Sequence, residues 1–145
     1  MDVLRVIDGD TVEIRKETEI LRVRFKGIDT PELHPQPDGS PPEPFAESAR
    51  SFTLMHIGSQ VDLEFDSDCD STVDPFLNCL DTFGRLLAYI RTADGRDLGV
   101  KLLTQGLARV YRFPGGRLPD FDRQTTYLLM EEEAKSQALR IWSSP

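Results

Sequence analysis

Two short acidic motifs in the N-terminal quarter carry residue types that suit work on a phosphate ester. Asp10 lies in a DGDT turn motif, and Asp29 opens a DTPE motif. Calcium takes about six to eight oxygen ligands, and two carboxylates with a backbone carbonyl and waters make an open site for it. We therefore predict that Asp10 and Asp29 supply carboxylates, that Thr30 supplies the carbonyl, and that Glu32 reaches an attacking water.

Two arginines, Arg24 and Arg85, provide the positive charge that such chemistry needs. Hydrolysis of a phosphodiester builds negative charge on the phosphate, and fixed donors stabilise it. A guanidinium bonds two phosphate oxygens at once and keeps its proton, which a lysine cannot match. Each feature alone also has a structural explanation, because Asp-Gly is a common turn pair and an arginine can be a solvated charge. Together they predict a phosphodiester-cleaving site with Arg24, Glu32 and Arg85 as catalytic residues.

The elements that must position these residues are predicted to be strands. Apolar residues alternate with polar ones along the first 25 residues, at Val3, Val12, Ile14, Leu21, Val23 and Phe25. This period places Arg24 on a polar strand face with Arg22 and Lys26. Arg85 precedes the apolar run at 86–90, so we expect it at the end of a strand. The proline-rich segment 31–44 predicts a long surface loop.

Helices are predicted at three later positions. One begins after Pro44, because apolar residues then recur at helical spacing, at Phe45, Ala49 and Phe52. Asp97 is the predicted cap of a second helix that ends at Gly106. The third helix has an apolar face made of Tyr127, Met130, Ala134, Ala138 and Ile141. With further strands at 61–65, 87–90 and 110–111, the pattern predicts an α+β fold, a small β-barrel with helices packed outside.

The charge balance limits how this chain can hold a polyanion. Its 145 residues include 17 Lys and Arg against 25 Asp and Glu, a net charge of −8. Broad, non-specific nucleic-acid binding relies on clustered basic side chains, so any polyanion must be gripped locally. No apolar run approaches the roughly 20 residues that a membrane span needs. The length predicts a single domain over residues 1–145.

Much of the negative charge lies in one segment, residues 66–81, here called the acidic segment. It has no basic residue and holds Asp66, Asp68, Asp70, Asp74 and Asp81. Cys69 and Cys79 either form a disulfide in an oxidising compartment or stay reduced in the cytosol. Ser71 and Leu77 stand where a helix-loop-helix calcium loop needs glycine and glutamate, so a solvated acidic loop is predicted instead.

Five blocks of sequence together resemble the staphylococcal nuclease (thermonuclease) family. They follow in order with compatible spacing: VIDGDT at 6–11, VRFKGIDTPE at 23–32, FGRLLAYI at 83–90, QGLA at 105–108 and ALRIW at 138–142. The resemblance implies a five-stranded OB-fold barrel with three helices. It also implies a calcium-dependent, sugar-nonspecific nuclease that cuts DNA and RNA at the P–O5′ bond and leaves 3′-phosphates. We expect a monomer that prefers single strands.

The same resemblance assigns roles that agree with the residue-based prediction. The family's metal-binding aspartates match Asp10 and Asp29, and its metal-binding carbonyl matches Thr30. The glutamate near the attacking water matches Glu32. The two phosphate-binding arginines match Arg24 and Arg85.

Departures from the family fall in the parts that hold the substrate. Thr82 and Phe83 replace a Lys-Tyr pair that helps to grip a terminal phosphate. The family's two base-stacking tyrosines fall on Arg112 and the proline two residues later, with Tyr111 and Phe113 each displaced by one. A shift of one reverses the face of a strand, so base stacking by these aromatic residues is not predicted. Arg112 is the candidate to stack or to bind phosphate instead.

The acidic segment is also longer than the family's usual connection at this place. Because it precedes Arg85, we predict that it weakens the binding of long polyanions more than it slows the chemistry.

Two other functions are compatible with this sequence. A catalytically silent nuclease-like module would bind nucleic acid or protein, but such modules lack some of the acidic or arginine positions that this chain retains. A calcium-binding structural or signalling domain is supported by the acidic segment alone. No signal-peptide pattern is visible at 1–7, as would also hold for a trimmed chain. Because the family is often secreted or attached to the cell envelope, that location is the expected one.

Overall fold

The structure, a computed structural model, describes residues 1–33, 39, 41–70 and 72–143. Within that part the strands are β1 (Asp2–Asp8), β2 (Thr11–Lys16), β3 (Glu19–Phe25), β4 (Ile28–Asp29), β5 (Val61–Glu64), β6 (Leu86–Thr92) and β7 (Arg109–Val110). Five of them form one sheet in the order β1-β2-β3-β6-β5, and β4 pairs with β7 in a two-stranded sheet.

The pairing within the five-stranded sheet is mixed. β1, β2 and β3 form two consecutive antiparallel hairpins, β6 runs parallel to β3, and β5 is antiparallel to β6. The two edge strands also meet, because the Val3 N–H donates to Ser59 O at 2.9 Å and the Val61 N–H donates to Met1 O at 3.0 Å. The mixed five-stranded sheet, with helices packed on it, confirms the predicted α+β fold of the OB-fold type.

Three helices of seven or more residues pack with the sheet, namely α1 (Ala46–Ile57), α3 (Leu98–Thr104) and α4 (Gln124–Ser136); α2 (Pro75–Asn78) is a single turn inside the acidic segment. Asp97 caps α3, as predicted, because its Oδ1 accepts from the N–H groups of Gly99 and Val100. The chain turns at Gly106, where φ is +68° and a Cβ would lie 2.5 Å from Leu139 O. None of the described helices is both long and apolar enough to cross a bilayer.

The prediction that Phe45 begins the buried face of α1 is wrong. Phe45 precedes the helix with a left-handed backbone (φ +68°), and its side chain is exposed. The buried face is formed instead by Ala46, Ala49, Thr53 and Ile57. The predicted loop 31–44 lies partly outside the described residues, and its described residues belong to no helix or strand.

The prediction that the apolar face of the last helix includes Ala138 and Ile141 is also wrong. α4 ends at Ser136, and Ala138 adopts a positive φ of 51°. The chain then folds back, because the Ile141 N–H donates to Gly106 O at 3.1 Å. A short 3-10 helix at Arg140–Trp142 follows the turn.

The acidic segment is tied to the barrel rather than free in solvent. Cys69 and Cys79 form a disulfide. Asp66 is buried and accepts hydrogen bonds from the Tyr89 hydroxyl and from the N–H of Asp122 at 2.7 Å. The prediction of a solvated loop is therefore wrong for Asp66, whose hydrogen bonds fix the start of the segment. Ser71, used above to exclude a calcium loop, lies outside the described residues.

Candidate active site

The turn between β1 and β2 positions Asp10, and helix α1 packs directly on it. The Thr53 hydroxyl donates to Gly9 O at 2.6 Å. A Cβ on Gly9 would lie 2.8 Å from the Cβ of Ala49, so only glycine fits between the turn and the helix. The helix thus fixes the turn that carries Asp10, which is itself buried.

Hydrogen bonds orient both carboxylate oxygens of Asp10. The Thr11 hydroxyl donates to Asp10 Oδ1 at 2.9 Å, and the Thr30 N–H donates to Asp10 Oδ2 at 2.9 Å. The second bond spans twenty residues of sequence, and it joins the DGDT motif to the DTPE motif. The two acidic motifs therefore form one site, as their chemistry requires.

Arg24 contacts both carboxylates of this site. Its Nη1 lies 3.1 Å from Asp10 Oδ2, and its Nη2 lies 3.3 Å from Asp29 Oδ1. Nη1 also donates to Ile28 O at 2.8 Å, and the side chain is largely buried. A guanidinium held at several points is a preorganised donor of the kind that stabilises developing phosphate charge.

Asp29 is the more exposed of the two aspartates. Burial raises the pKa of its carboxyl, Arg24 opposes that change, and the neighbouring Asp10 and Glu43 carboxylates add to it. Arg109, which lies opposite Asp29 in the β4–β7 pair, also opposes it. The net result is a pKa of Asp29 above its usual value, because burial and the neighbouring carboxylates outweigh the two arginines.

The donors of this site fit a hard cation. One guanidinium touches both aspartates, so they lie close together, and the Thr30 hydroxyl oxygen beside them is buried without a hydrogen-bond partner in the described residues. No group of three or more His, Cys, Asp or Glu side chains that could hold a metal occurs in that part of the chain. An ion here would take two carboxylates and complete its shell with carbonyl and water oxygens, as calcium does.

Glu32 lies at the surface after β4. Its N–H donates to Glu43 Oε1 at 2.8 Å, and the Glu43 N–H donates to Glu32 O at 3.0 Å. These two bonds join the segment that follows Asp29 to the residues that immediately precede α1. Neither of these two bonds goes to Arg24 or Asp10.

Arg85 lies with Arg24 along a cleft of about 780 Å³, which is a size typical of small-ligand sites. As predicted, Arg85 immediately precedes a strand, β6. Its Nε lies 2.7 Å from Asp81 Oδ2, and Lys26 in the same cleft lies 2.6 Å from Asp68 Oδ2. Two carboxylates of the acidic segment therefore pair with two cations of the cleft.

Tyr111 and Phe113 also line this cleft, against the expectation from strand geometry. Their rings pack edge to face with centroids 6.0 Å apart. β7 ends at Val110, so residues 111–113 are not in a strand and the face-reversal rule does not apply to them. Sequence reasoning placed Lys26 on the correct polar face but assigned neither it nor the two aromatic residues to the site.

Arg112 is not available as a substitute for the aromatic residues. Its guanidinium lies 2.9 Å from Glu131 Oε1, and Glu131 is fully buried. Glu131 also accepts from the Val110 N–H at 2.7 Å. Unlike Arg24 and Arg85, Arg112 is not among the described residues that line the cleft, so the expectation that it stacks on a base or binds phosphate there is wrong. The position of Glu131, four residues after Tyr127 on the buried face of α4, was the signal for an internal partner.

The sequence profile described as "Staphylococcal nuclease homologue" matches residues 22–144. The chain belongs to the staphylococcal nuclease family. It is 36% identical over 141 residues to "Thermonuclease" of Staphylococcus intermedius, with 97% of this chain and 74% of that protein covered. It is 35% identical over 145 residues to "Endonuclease YncB" of Bacillus subtilis, with 96% and 59% covered.

A second Bacillus subtilis relative of this family member is "SPbeta prophage-derived endonuclease YokF", 34% identical over 145 residues with 96% of this chain and 42% of that protein covered. The chain thus spans less than two thirds of each Bacillus protein. The family profile includes Arg24, Asp29, Thr30, Glu32 and Arg85, while Asp10 precedes its first matched residue.

Proposed function

We propose that this staphylococcal nuclease family member is a calcium-dependent nuclease that hydrolyses DNA and RNA, preferably single-stranded. The observation that carries the proposal is the contact of Arg24 with both Asp10 and Asp29 beside the cleft that Arg85 lines. The names of the relatives, thermonuclease and endonuclease, support nuclease activity. The resemblance supports cleavage at the P–O5′ bond with 3′-phosphate products, by a monomer.

In the proposed site, Asp10, Asp29 and the Thr30 carbonyl hold the calcium ion. When bound, such an ion polarises a phosphate oxygen and offsets the growing negative charge. Arg24 and Arg85 donate to the phosphate oxygens, and their guanidinium planes allow two bonds each. Both arginines are already held by carboxylates, so a phosphate competes with Asp29 for Arg24 and with Asp81 for Arg85.

Glu32 is the proposed partner of the attacking water. A carboxylate can act as a general base or can orient a water molecule by accepting its hydrogen bond. Its exposed position leaves it open to solvent, where the attacking water originates. It would accept a proton from that water or orient it towards the phosphorus.

In this proposal, the cleft that Arg24 and Arg85 line binds the nucleotide adjacent to the cleaved bond. Tyr111 and Phe113 offer aromatic faces on which any base can stack, so little sequence preference is expected. Lys26 adds one positive charge, which Asp68 offsets in the free protein. This composition suits a flexible single strand better than a stacked duplex.

The test of the metal requirement is a digestion of single-stranded DNA and RNA in calcium, in magnesium and in chelator. We expect cutting in calcium and none in chelator. Asp29→Asn should abolish it, whereas Asp62→Asn, which removes one charge on β5 away from the cleft, should not. Cutting in chelator would contradict the proposal. Binding without cutting would favour a silent nuclease-like module.

We also propose that the protein acts in an oxidising compartment, secreted or attached to the cell envelope. The support is the disulfide between Cys69 and Cys79, since such bonds persist outside the reducing cytosol.

A further inference from the structure

A second groove, of about 550 Å³, lies beside Asp29. Its lining includes Asp29, Thr30, Phe45, Arg109 and Arg140, and it shares no lining residue with the first cleft. The Arg24–Asp29 ion pair joins the two, because Arg24 lines the cleft and Asp29 lines the groove. A strand whose reacting phosphate sits at this pair would therefore extend into both.

Arg109 presents its guanidinium to this groove in a fixed orientation. It is directly opposite Asp29 in the β4–β7 pair, where facing side chains lie on the same side of the sheet. Its guanidinium carbon lies 5.1 Å from the centroid of the Trp142 ring. Stacking on an aromatic ring occupies the flat face of a guanidinium and leaves its N–H edges for an anion.

Arg140 supplies a second guanidinium to the groove. Its Nη1 donates to the backbone O of Gln105 at 2.9 Å and to Gln105 Oε1 at 3.3 Å. These bonds go to neutral acceptors, so the charge of Arg140 is not neutralised. The 3-10 turn, which is held by the bond from the Ile141 N–H to Gly106 O, keeps the residue at the groove.

Both arginines differ in their partners from Arg24, Arg85 and Arg112. Arg24, Arg85 and Arg112 each form an ion pair, whereas Arg109 and Arg140 form none with the described residues. Asp29 and Glu43 also line the groove, and Arg109 interacts electrostatically with Asp29, so the two arginines offset the negative charge of these carboxylates. Exposed guanidinium groups in a groove beside a phosphate-binding pair are suited to another phosphate.

We propose that this groove binds the phosphate that neighbours the scissile one along the strand, with Arg109 and Arg140 as its ligands. The inference rests on the proposed nuclease function and extends it to a subsite. With this subsite, the enzyme favours phosphodiester bonds that have a further phosphate group next to the scissile one. Phe45, exposed in the same groove, offers an aromatic surface to the adjoining nucleotide.

The test compares three thymidylate substrates that have a single phosphodiester bond, namely TpT, pTpT and TpTp. In calcium, one of the two terminal phosphates should raise kcat/KM of the wild-type protein by about tenfold through this groove. In the Arg109→Gln, Arg140→Gln double variant that gain, taken as a ratio to the rate on TpT, should disappear. The rate on TpT is also compared with that of Arg140→Gln alone, because Arg109 lies opposite Asp29. Arg96→Gln, which removes an exposed charge that lines neither groove, should keep the gain.

A double variant that keeps both gains, or that loses rate equally on all three substrates, would overturn the subsite. Failure of the wild-type protein to cut any substrate in calcium would instead overturn the nuclease proposal. Binding to the groove is measured separately on wild-type protein in chelator, where pTpTp should not be cut. The NMR signals of the Arg109 and Arg140 Nε–H groups should shift on adding pTpTp. Unchanged signals would overturn the subsite even if the variants fail to fold.

Discussion

Lys26 Nζ lies 2.6 Å from Asp68 Oδ2, so a carboxylate of the acidic segment pairs with a lysine that lines the cleft. Asp81 makes the same kind of contact with Arg85, at 2.7 Å. Cys69 follows Asp68 directly, and Cys79 precedes Asp81 by two residues, so the disulfide joins the two ends that carry these carboxylates. The segment thereby removes two cations from the surface that a nucleic acid would meet.

Asp68→Asn should lower KM for single-stranded DNA about threefold at low salt and leave kcat nearly unchanged, because the released lysine attracts phosphates without entering the chemistry. The difference should shrink as salt is added. Steady-state kinetics over a salt series measure it, with Asp62→Asn as the charge-matched control. An unchanged KM at low salt, or an equal decrease in Asp62→Asn, would count against this function of the segment.

Glu131→Gln should destabilise the protein and change its response to acid. Burial raises the pKa of Glu131, but hydrogen bonds from Arg112 and from the Val110 N–H outweigh it and hold the pKa below its usual value. A carboxyl of this kind adds stability above its unfolded-state pKa, and that stability is lost as the pH falls through the folded-state value.

At pH 7 we expect the variant to lose about 3 kcal/mol of unfolding free energy, because Arg112 is left without its buried partner. Below about pH 4.5 the gap to the wild type should narrow. Urea unfolding at several pH values measures both effects. Glu132→Gln, at an exposed neighbouring position, should change little, and equal stability of the two variants would refute the role of Glu131.

Gly9→Ala should cost about 1–3 kcal/mol of stability, because the new Cβ would lie 2.8 Å from the Cβ of Ala49. Removing that methyl group tests the cause. In an Ala49→Gly background, Gly9→Ala should cost less than in the wild type, which is a double-mutant cycle measured by thermal or urea unfolding. If the two substitutions have additive effects on the unfolding free energy, contact with α1 does not explain why residue 9 is a glycine.

Reduction of the Cys69–Cys79 disulfide should lower the unfolding free energy by about 2–3 kcal/mol, as expected for a bond that closes a short loop. The two cysteines are ten residues apart. Urea unfolding with and without reductant measures the change, and a Cys69→Ser, Cys79→Ser variant should show no effect of reductant. Full thiol labelling of the unreduced, denatured protein would contradict the disulfide.

The alternation of apolar and polar residues was enough to predict which side of β3 the Arg24 side chain faces. Val23 and Phe25 are buried on one side of β3, so Arg24 must face the other way. A strand pattern needs only neighbouring residues to be read correctly. The chemistry of the two acidic motifs predicted that Asp10 and Asp29 belong to one site, and the resemblance agreed with that prediction.

The partners of the charged residues could not be read from the sequence. Lys26 and Asp68 are 42 residues apart, and Arg112 and Glu131 are 19 apart, so their contacts depend on how whole elements pack. The prediction of where α4 ends was wrong for a related reason. Its apolar spacing continues to Ile141, but a long-range hydrogen bond to Gly106 turns the chain away.

The most direct test of the central claim is the rate at which single-stranded DNA is cut in calcium by the wild type, Arg24→Ala and Arg85→Ala. Each arginine is proposed to stabilise the transition state, so each variant should be slower by about 100-fold or more. Arg96→Gln should cut at the wild-type rate, and unfolding curves should confirm that all four proteins are folded. Wild-type rates in both arginine variants would contradict a nuclease that holds one phosphate between a calcium ion and these two side chains.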